Sequence, residues 1–267
     1  TVGSGTDQQI SVANAKLLAA TTTGTVTSAI DTTESVDSLK TLFDAGETHA
    51  YTITITADAG DATGSTAAEF NAINSATSVA VNMNNVTALA ASTLSDVNTL
   101  ALAIDAGEFS NGGNLTTVAI SDATIDATAL ATAIDNLDGI NGGSSTDMTL
   151  ASEATINVDA GEVTHMLLDE TENRLDIVDQ NIVVTGNISV DDANLLSETT
   201  TGTVTASIAT TESIAELKTL TETSNAYTIV ISSSDATATA GDLLAIEGKT
   251  TVRIDASEVT AISGSFN

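Results

Sequence analysis

The sequence predicts a mainly β protein that folds as a single elongated right-handed parallel solenoid, with short helices or turns between its strands. Three observations point to this class. The heptapeptide TTTGTVT occupies residues 21–27 and again residues 199–205. The 267-residue chain has no proline, although average usage of about 5% would place roughly 13 in it. Only 2% of the residues are aromatic, so the core must be built from small aliphatic side chains, which suits thin stacked layers.

The repeated heptapeptide belongs to a larger duplication. Its two copies are offset by 178 residues, and the offset is 176 where AYTI at 50–53 recurs at 226–229. It has fallen to 173 where residues 85–89 match residues 258–262. An offset that only decreases indicates one duplicated module that has lost loop residues. We therefore divide the chain into a linker or donated strand (1–9), solenoid module 1 (10–89), a diverged middle solenoid module (90–187) and solenoid module 2 (188–267).

Within the first module, strand-like and helix-like stretches alternate. Residues 10–12 are rich in β-formers and lead to a helix-like stretch, after which residues 25–30 are strand-like again. Val36, Leu39 and Leu42 then follow at a spacing of three, which places them on one face of a helix. The predicted order is therefore strand, helix, strand and helix.

The rest of the module continues this alternation. Residues 51–56 (YTITIT) alternate apolar and polar side chains, as a half-buried strand does. Thr66 and Glu69 have the spacing of a capping box, so they predict the start of a helix. Residues 78–82 (SVAVN) are expected to form the last strand.

TTTGTVT itself predicts a corner followed by a strand. Gly24 and Gly202 supply a permissive backbone for the turn, and we expect Val26 and Val204 to point into the core. The predicted coils of about 16–27 residues are too short for separate βαβ domains and are similar in length to the strand-plus-helix coils of leucine-rich repeats. A β-sandwich is the alternative fold, although dipeptides typical of hairpin turns are scarce.

The charge of the chain limits its partners. Six basic and 36 acidic residues give a net charge of −30. Such a surface repels nucleic acid and anionic lipid, so we expect no nucleic-acid partner. The sequence has no apolar run of 18 residues, so we expect no insertion into a membrane. The absence of cysteine excludes disulfides, thiolate catalysis and cysteine-zinc sites.

One acidic tetrapeptide recurs and could bind metal. Asp-Ala-Gly-Glu occurs at residues 44–47, 105–108 and 159–162, with the variant Asp-Ala-Ser-Glu at 255–258. Two carboxylates flanking such a turn can converge, and together with turn carbonyls they supply the oxygen ligands that calcium prefers. A solvated acidic turn without a ligand is the alternative interpretation. The predicted calcium ligands are Asp44, Glu47, Asp105, Glu108, Asp159, Glu162, Asp255 and Glu258.

No residue pattern indicates catalysis. His49 and His165 lie far apart in sequence without metal-ligand spacing, and we expect each at the surface or in a turn. The six basic residues are too few to hold an acidic polysaccharide, which some β-helix enzymes cleave. We therefore expect that the protein is not an enzyme.

Several stretches resemble units of very large repetitive surface proteins of marine bacteria, especially cyanobacteria. They are ISVDDANLL at 188–196, the TTTGTVTASI that follows it, and NAYTIVI at 225–231. The acidic, cysteine-free, Thr- and Ala-rich composition is also similar to that of bacterial S-layer proteins. The resemblance covers residues 10–89 and 188–262. It implies an extracellular or cell-surface location and a structural or adhesive role, in proteins that sometimes carry calcium-binding repeats.

The expected function is that of a non-catalytic extracellular structural protein, namely a self-assembling segment of a surface layer, filament or adhesin. Unpaired strand edges at the ends of such a fold can pair with other chains. The expected partners are therefore copies of the protein itself, associated head-to-tail or laterally. Two alternatives are a module that binds glycans or another cell and a component of a phage virion fibre. The near absence of aromatic side chains for stacking on sugars disfavours glycan binding.

Overall fold

Serine and threonine side chains start most of the helices. The computed structural model describes residues 9–42, 48–56, 64–84, 86–140 and 146–264. In seven helices of these ranges, the residue before the helix is Ser or Thr, and its side-chain oxygen accepts a hydrogen bond from the N–H three residues later. That bond satisfies one of the N–H groups left free at a helix start. The capping residues are Ser11, Ser35, Thr66, Thr93, Ser189, Ser213 and Thr239.

The predicted capping box is confirmed. The Thr66 side chain accepts from the Glu69 N–H, and the Glu69 carboxylate accepts from the Thr66 N–H at 2.9 Å. The helices of the described ranges are α1 (Val12–Ala19), α2 (Val36–Leu39), α3 (Ala67–Ser75), α4 (Leu94–Asp105), α5 (Ala127–Ile140), α6 (Val163–Thr171), α7 (Val190–Thr199), α8 (Ile214–Leu217) and α9 (Ala240–Glu247).

The strands are short, and most have two to five residues. They are β1 (Gln9–Ile10), β2 (Thr27–Ile30), β3 (Ala50–Thr52), β4 (Val81–Asn82), β5 (Ala88–Ser92), β6 (Phe109–Ser110), β7 (Thr117–Ile120), β8 (Thr124–Asp126), β9 (Asp147–Leu150), β10 (Thr155–Asp159), β11 (Leu175–Asp176), β12 (Asn181–Ile188), β13 (Val204–Ile208), β14 (Ala226–Thr228), β15 (Thr237–Thr239) and β16 (Ala261–Ser263).

By their contacts, the described residues divide into two units. Unit 1 comprises those within Thr1–Asp122 and Leu130–Thr149, and unit 2 those within Ala123–Ala129 and Leu150–Asn267. The sequence-based division at residues 89/90 and 187/188 concerns repeated modules and stays a prediction.

In unit 1 the strands pair in parallel. β1, β2 and β3 form one sheet, β5 pairs with β7, and β4 pairs with β6. Parallel strands need a crossover between them, and α1 supplies it between β1 and β2, while α4 supplies it between β5 and β7. The register places Leu89 of β5 opposite Val118 of β7.

In unit 2 five parallel strands form one sheet in the order β14-β13-β12-β10-β8, and β15 pairs with β16 in a second sheet. Ile182 of β12 lies opposite both Ile156 of β10 and Val204 of β13. The inward positions of neighbouring strands therefore stack on one another and form rows of aliphatic side chains.

The core is aliphatic and also contains buried aromatic side chains. Tyr51, Phe70 and Tyr227 are at most 1% exposed. Val26 and Val204 are also buried, as predicted from TTTGTVT. The core therefore has the composition expected from a sequence with only 2% aromatic residues.

The predicted fold class is wrong. Of the described residues, 37% are helical and 27% are in strands, so the protein is mixed α/β and neither a mainly β solenoid nor a β-sandwich. The error came from expecting only short helices or turns between the strands. α4 has 12 residues and buries Leu94, Val97, Leu100, Ala101 and Ile104, whose spacing of three to four is that of an amphipathic helix.

Candidate functional site

The predicted acidic turns differ in their hydrogen bonds and in their exposure. Asp44 and Glu47 lie outside the described residues. Asp105 ends α4, and Gly107 has a positive φ of 76° just before Glu108. The Glu108 carboxylate accepts a hydrogen bond from Asn74 Nδ2 at 2.5 Å. Glu108 thus ties the turn after α4 to α3.

The two acidic turns of unit 2 are solvent-exposed. Asp159 ends β10, and Glu162 ends the short 3₁₀ helix Ala160–Glu162 that precedes α6. The Asp255 carboxylate accepts from the Ser257 N–H at 2.9 Å, and this bond lowers the pKa of Asp255 below its usual value. Glu258 is exposed beside it.

The three described turns do not gather a larger group of ligands. Within the ranges that the structure describes, no three His, Cys, Asp or Glu side chains are placed to hold a metal ion together. Calcium usually takes six or more oxygen ligands. Calcium binding at the acidic turns therefore stays a prediction.

Some buried polar side chains bind backbone groups at matching positions of the two modules. The Val26 N–H donates to His49 Nδ1 at 3.2 Å, and the Val204 N–H donates to Asn225 Oδ1 at 2.8 Å. His49 is buried and forms a β-bridge with Thr77, so the prediction that it lies at the surface or in a turn is wrong. The AYTI repeat that follows both residues aligns His49 with Asn225 and could have revealed their shared role.

Two buried threonines also occupy matching positions. Thr77 Oγ1 donates to the Tyr51 carbonyl at 2.6 Å, and Thr250 Oγ1 donates to the Tyr227 carbonyl at 2.7 Å. A buried hydroxyl needs a partner, and here it ties one strand-bearing segment to the next. These polar side chains therefore tie segments together within each module.

The heptapeptide glycines lie in different surroundings. In both copies the glycine N–H donates to the threonine two residues earlier, from Gly24 to Thr22 and from Gly202 to Thr200. A Cβ atom at Gly202 would lie 2.1 Å from the carbonyl oxygen of Gln180. At Gly24 the nearest atom would be 3.5 Å away. Only the second copy needs glycine for a close backbone approach.

One surface that differs between the modules lies at β16. The offset of 173 residues aligns Ile262 with Leu89, and the Asp255 N–H bonds to the Ile229 carbonyl as the Asn82 N–H bonds to the Ile53 carbonyl. Leu89 is 4% exposed, whereas Ile262 is 59% exposed. The aligned positions thus share their backbone bonds but differ in burial.

A segment of unit 1 covers the surface that unit 2 leaves exposed. Residues 94–120 bring β6 beside β4 and β7 beside β5, with Val81 opposite Phe109. In unit 2, β16 pairs with β15 on one edge and has no strand on its other edge among the described residues. We call this exposed surface the β16 face. It consists of the outer edge of β16 and the side chains of Val252, Ile254, Val259 and Ile262.

One hydrogen bond partly protects this face. The Val81 N–H donates to the backbone carbonyl of Glu108 in the covering segment at 2.9 Å. The aligned Ile254 N–H donates instead to the side chain of Glu247 at 3.0 Å. Glu247 therefore satisfies a backbone group that a covering segment would otherwise bind, while the outer edge of β16 pairs with no strand in the described part of the chain.

No family model, curated protein or solved structure matches the chain. In the described part of the chain, no helix has the length and hydrophobicity needed to span a bilayer. The geometry of the β16 face is therefore the basis for a functional hypothesis.

Proposed function

We propose that this chain is a non-catalytic extracellular structural protein that assembles with copies of itself, as a segment of a surface layer, filament or adhesin. The observation that carries the proposal is the β16 face. There Ile262 is exposed and Ile254 and Val259 are half-buried, whereas their counterparts in unit 1, Leu89, Val81 and Val86, are buried. Exposed apolar side chains beside an unpaired strand edge are typical of association surfaces.

The use of polar side chains supports a structural role. His49, Asn225, Thr77 and Thr250 are buried and bonded to backbone groups. Each pair recurs at matching positions of the two modules, which favours a common task of holding the backbone together. Repetition of this kind is typical of proteins whose function is their shape and their contacts.

The net charge supports the extracellular location. A charge of −30 repels itself unless cations screen it. Salty or calcium-containing surroundings outside a cell provide that screening. The absence of cysteine is compatible with this location, since large bacterial surface proteins commonly lack disulfides, and the resemblance to marine surface-protein repeats points the same way.

Electron microscopy and light scattering of the purified chain test the proposal, first with millimolar calcium and then with chelator. We expect ordered filaments or sheets with calcium. If chelator dissolves the assemblies, calcium takes part in assembly. If they survive chelator, the chain assembles without calcium. A monomer under both conditions would refute self-assembly.

A further inference from the structure

In each module, one glutamate joins the start of a helix to a turn 22 residues later. In the first module, Glu34 Oε1 accepts from the N–H of Val12, the first residue of α1, at 2.8 Å. In the second module, the Glu212 carboxylate accepts from the N–H of Val190, the first residue of α7. The same turn places both side chains, because each glutamate N–H donates to the carbonyl three residues earlier at 3.1 Å.

The surroundings of these two glutamates differ. Beside Glu34, the Ser38 hydroxyl donates to Oε2 at 2.6 Å. The offset of 178 residues aligns Ser38 with Glu216, so a carboxylate occupies the position of that hydroxyl donor. At the start of α7 the same offset places Asp191 and Asp192 where α1 has alanine and asparagine. The second module thus has three carboxylates in place of a donor and two uncharged residues.

The charges that act on Glu212 come from two helices and are all negative. They are Glu216 of α8, and Asp191 and Asp192 of α7. Lys218 is the nearest cation along the chain, but it pairs with a carboxylate of α9 at 2.7 Å. Glu212 is half-buried, so water screens these like charges less than it would at a fully exposed position.

These surroundings favour the protonated form of Glu212. Burial raises the pKa of the Glu212 carboxyl above its usual value, and the carboxylates of α7 and α8 raise it further, although the bond from the Val190 N–H acts in the opposite direction. Glu216 keeps its charge, because hydrogen bonds from the backbone and hydroxyl of Ser213 lower its pKa. The folded chain therefore binds the Glu212 proton more tightly than the unfolded chain does. Lowering the pH from neutral toward the usual pKa of a glutamate stabilises unit 2 through this group.

We propose that the junction of α7 and α8 is a pH-sensitive device, which becomes more stable when Glu212 takes up a proton in mildly acidic surroundings. The protonated carboxyl keeps an oxygen that accepts from the Val190 N–H, while it no longer repels the carboxylates around it. The first module makes the same contact beside a hydroxyl donor, and its Asp31 and Asp37, which have alanines as counterparts, bind partners of their own. The inference goes beyond self-assembly and does not depend on it.

Hydrogen exchange of residues 188–217, followed by mass spectrometry of the full chain, tests this device. Glu212→Gln imitates the protonated carboxyl and keeps an acceptor for the Val190 N–H. At about pH 7 this variant should exchange at least about twofold more slowly than the wild type, because the repulsion between like charges is relieved. At about pH 5 the difference should shrink, because the wild type then carries the proton as well. Comparing the two proteins at one pH cancels the pH dependence of the chemical exchange step.

Two further variants separate repulsion from a local effect of the substitution. Glu34→Gln is the matched control in the first module and should not slow the exchange of residues 10–39. Glu216→Gln keeps the capping box, which also accepts glutamine, and in its background Glu212→Gln should slow exchange less than it does in the wild type. Exchange of Glu212→Gln that is as fast as that of the wild type at about pH 7, or slower by an equal factor at both pH values, would overturn the inference. A monomeric wild type would refute self-assembly and leave this test unaffected. Far-UV circular dichroism of each variant confirms that the fold is retained.

Discussion

Replacing one glycine of each heptapeptide should have very different effects. At Gly202 an added Cβ would lie 2.1 Å from the carbonyl oxygen of Gln180, 2.5 Å from its carbonyl carbon and 2.9 Å from the nitrogen of Asn181. All three are backbone atoms at the start of β12, so no side-chain rotation can relieve the contact. At Gly24 the nearest atom would be a threonine hydroxyl 3.5 Å away, an ordinary contact distance.

The cost at Gly202 has two parts. Forcing the two segments apart is an overpacking change, which costs about 1–3 kcal/mol. The same movement disturbs the bond from Thr200 Oγ1 to the Gln180 carbonyl, 2.6 Å long and buried, and losing it costs about 1 kcal/mol more. We therefore expect Gly202→Ala to lower the free energy of unfolding by about 2–4 kcal/mol. Gly24→Ala should change it by less than about 1 kcal/mol, in the stabilising direction, because alanine restricts the unfolded chain.

Urea denaturation followed by far-UV circular dichroism measures both variants. The Gly202→Ala midpoint should fall well below that of the wild type, and the Gly24→Ala midpoint should match or exceed it. Equal midpoints for wild type and Gly202→Ala would refute the close backbone approach. An equal loss in both variants would show that the heptapeptide needs glycine for backbone freedom and not for space.

Three further predictions concern buried polar groups and charge. Asn225→Ala should lower the free energy of unfolding by about 1–3 kcal/mol, because it leaves a buried N–H without its acceptor. His49→Asn should change that free energy much less, and a larger loss for His49→Asn than for Asn225→Ala in urea denaturation would contradict the matched roles of these residues. Arg174→Ala should lower the free energy of unfolding by about 3–5 kcal/mol, because Asp169, which is 1% exposed, loses its cation. Lys218→Ala removes an exposed ion pair and should cost at most about 1 kcal/mol, so similar losses in these two variants would refute the importance of burial. Added sodium chloride should raise the melting temperature by screening the charge of −30, and calorimetry that shows a decrease would refute self-repulsion as a main destabilising force.

Local patterns predicted local structure well. The Thr66–Glu69 capping box, and the inward direction of Val26 and Val204, follow from residues within a few positions of one another, and the structure confirms both. The predicted fold class was wrong because it depended on how much of the chain forms short strands and how much forms helices. Alanine, threonine and serine occur in both kinds of element here, and sequence periodicity over short stretches separates them poorly.

The β16 face could be predicted only in part. The duplication aligns Ile262 with Leu89 and Arg253 with Ala80. The sequence therefore already shows that the second module keeps an apolar residue at the first position and has a cation at the second. It does not show that Leu89 is buried and Ile262 exposed, because burial depends on which segment packs against each module. The acidic turns likewise could not be understood from the sequence alone, because the carboxylate of Glu108 binds Asn74 of α3, which lies 34 residues earlier in the chain.

The sequence by itself determined the duplication, the acidic surface, the small aliphatic core and the helix starts, because each depends on composition or on neighbours along the chain. Only the tertiary structure decided the balance of helix and strand, the burial of His49 and the different roles of Gly24 and Gly202. Identical heptapeptides have identical local preferences, yet Gly202 lies against the backbone of Gln180 and Gly24 meets no such neighbour. That difference arises from contacts between residues distant in sequence, which packing alone brings together.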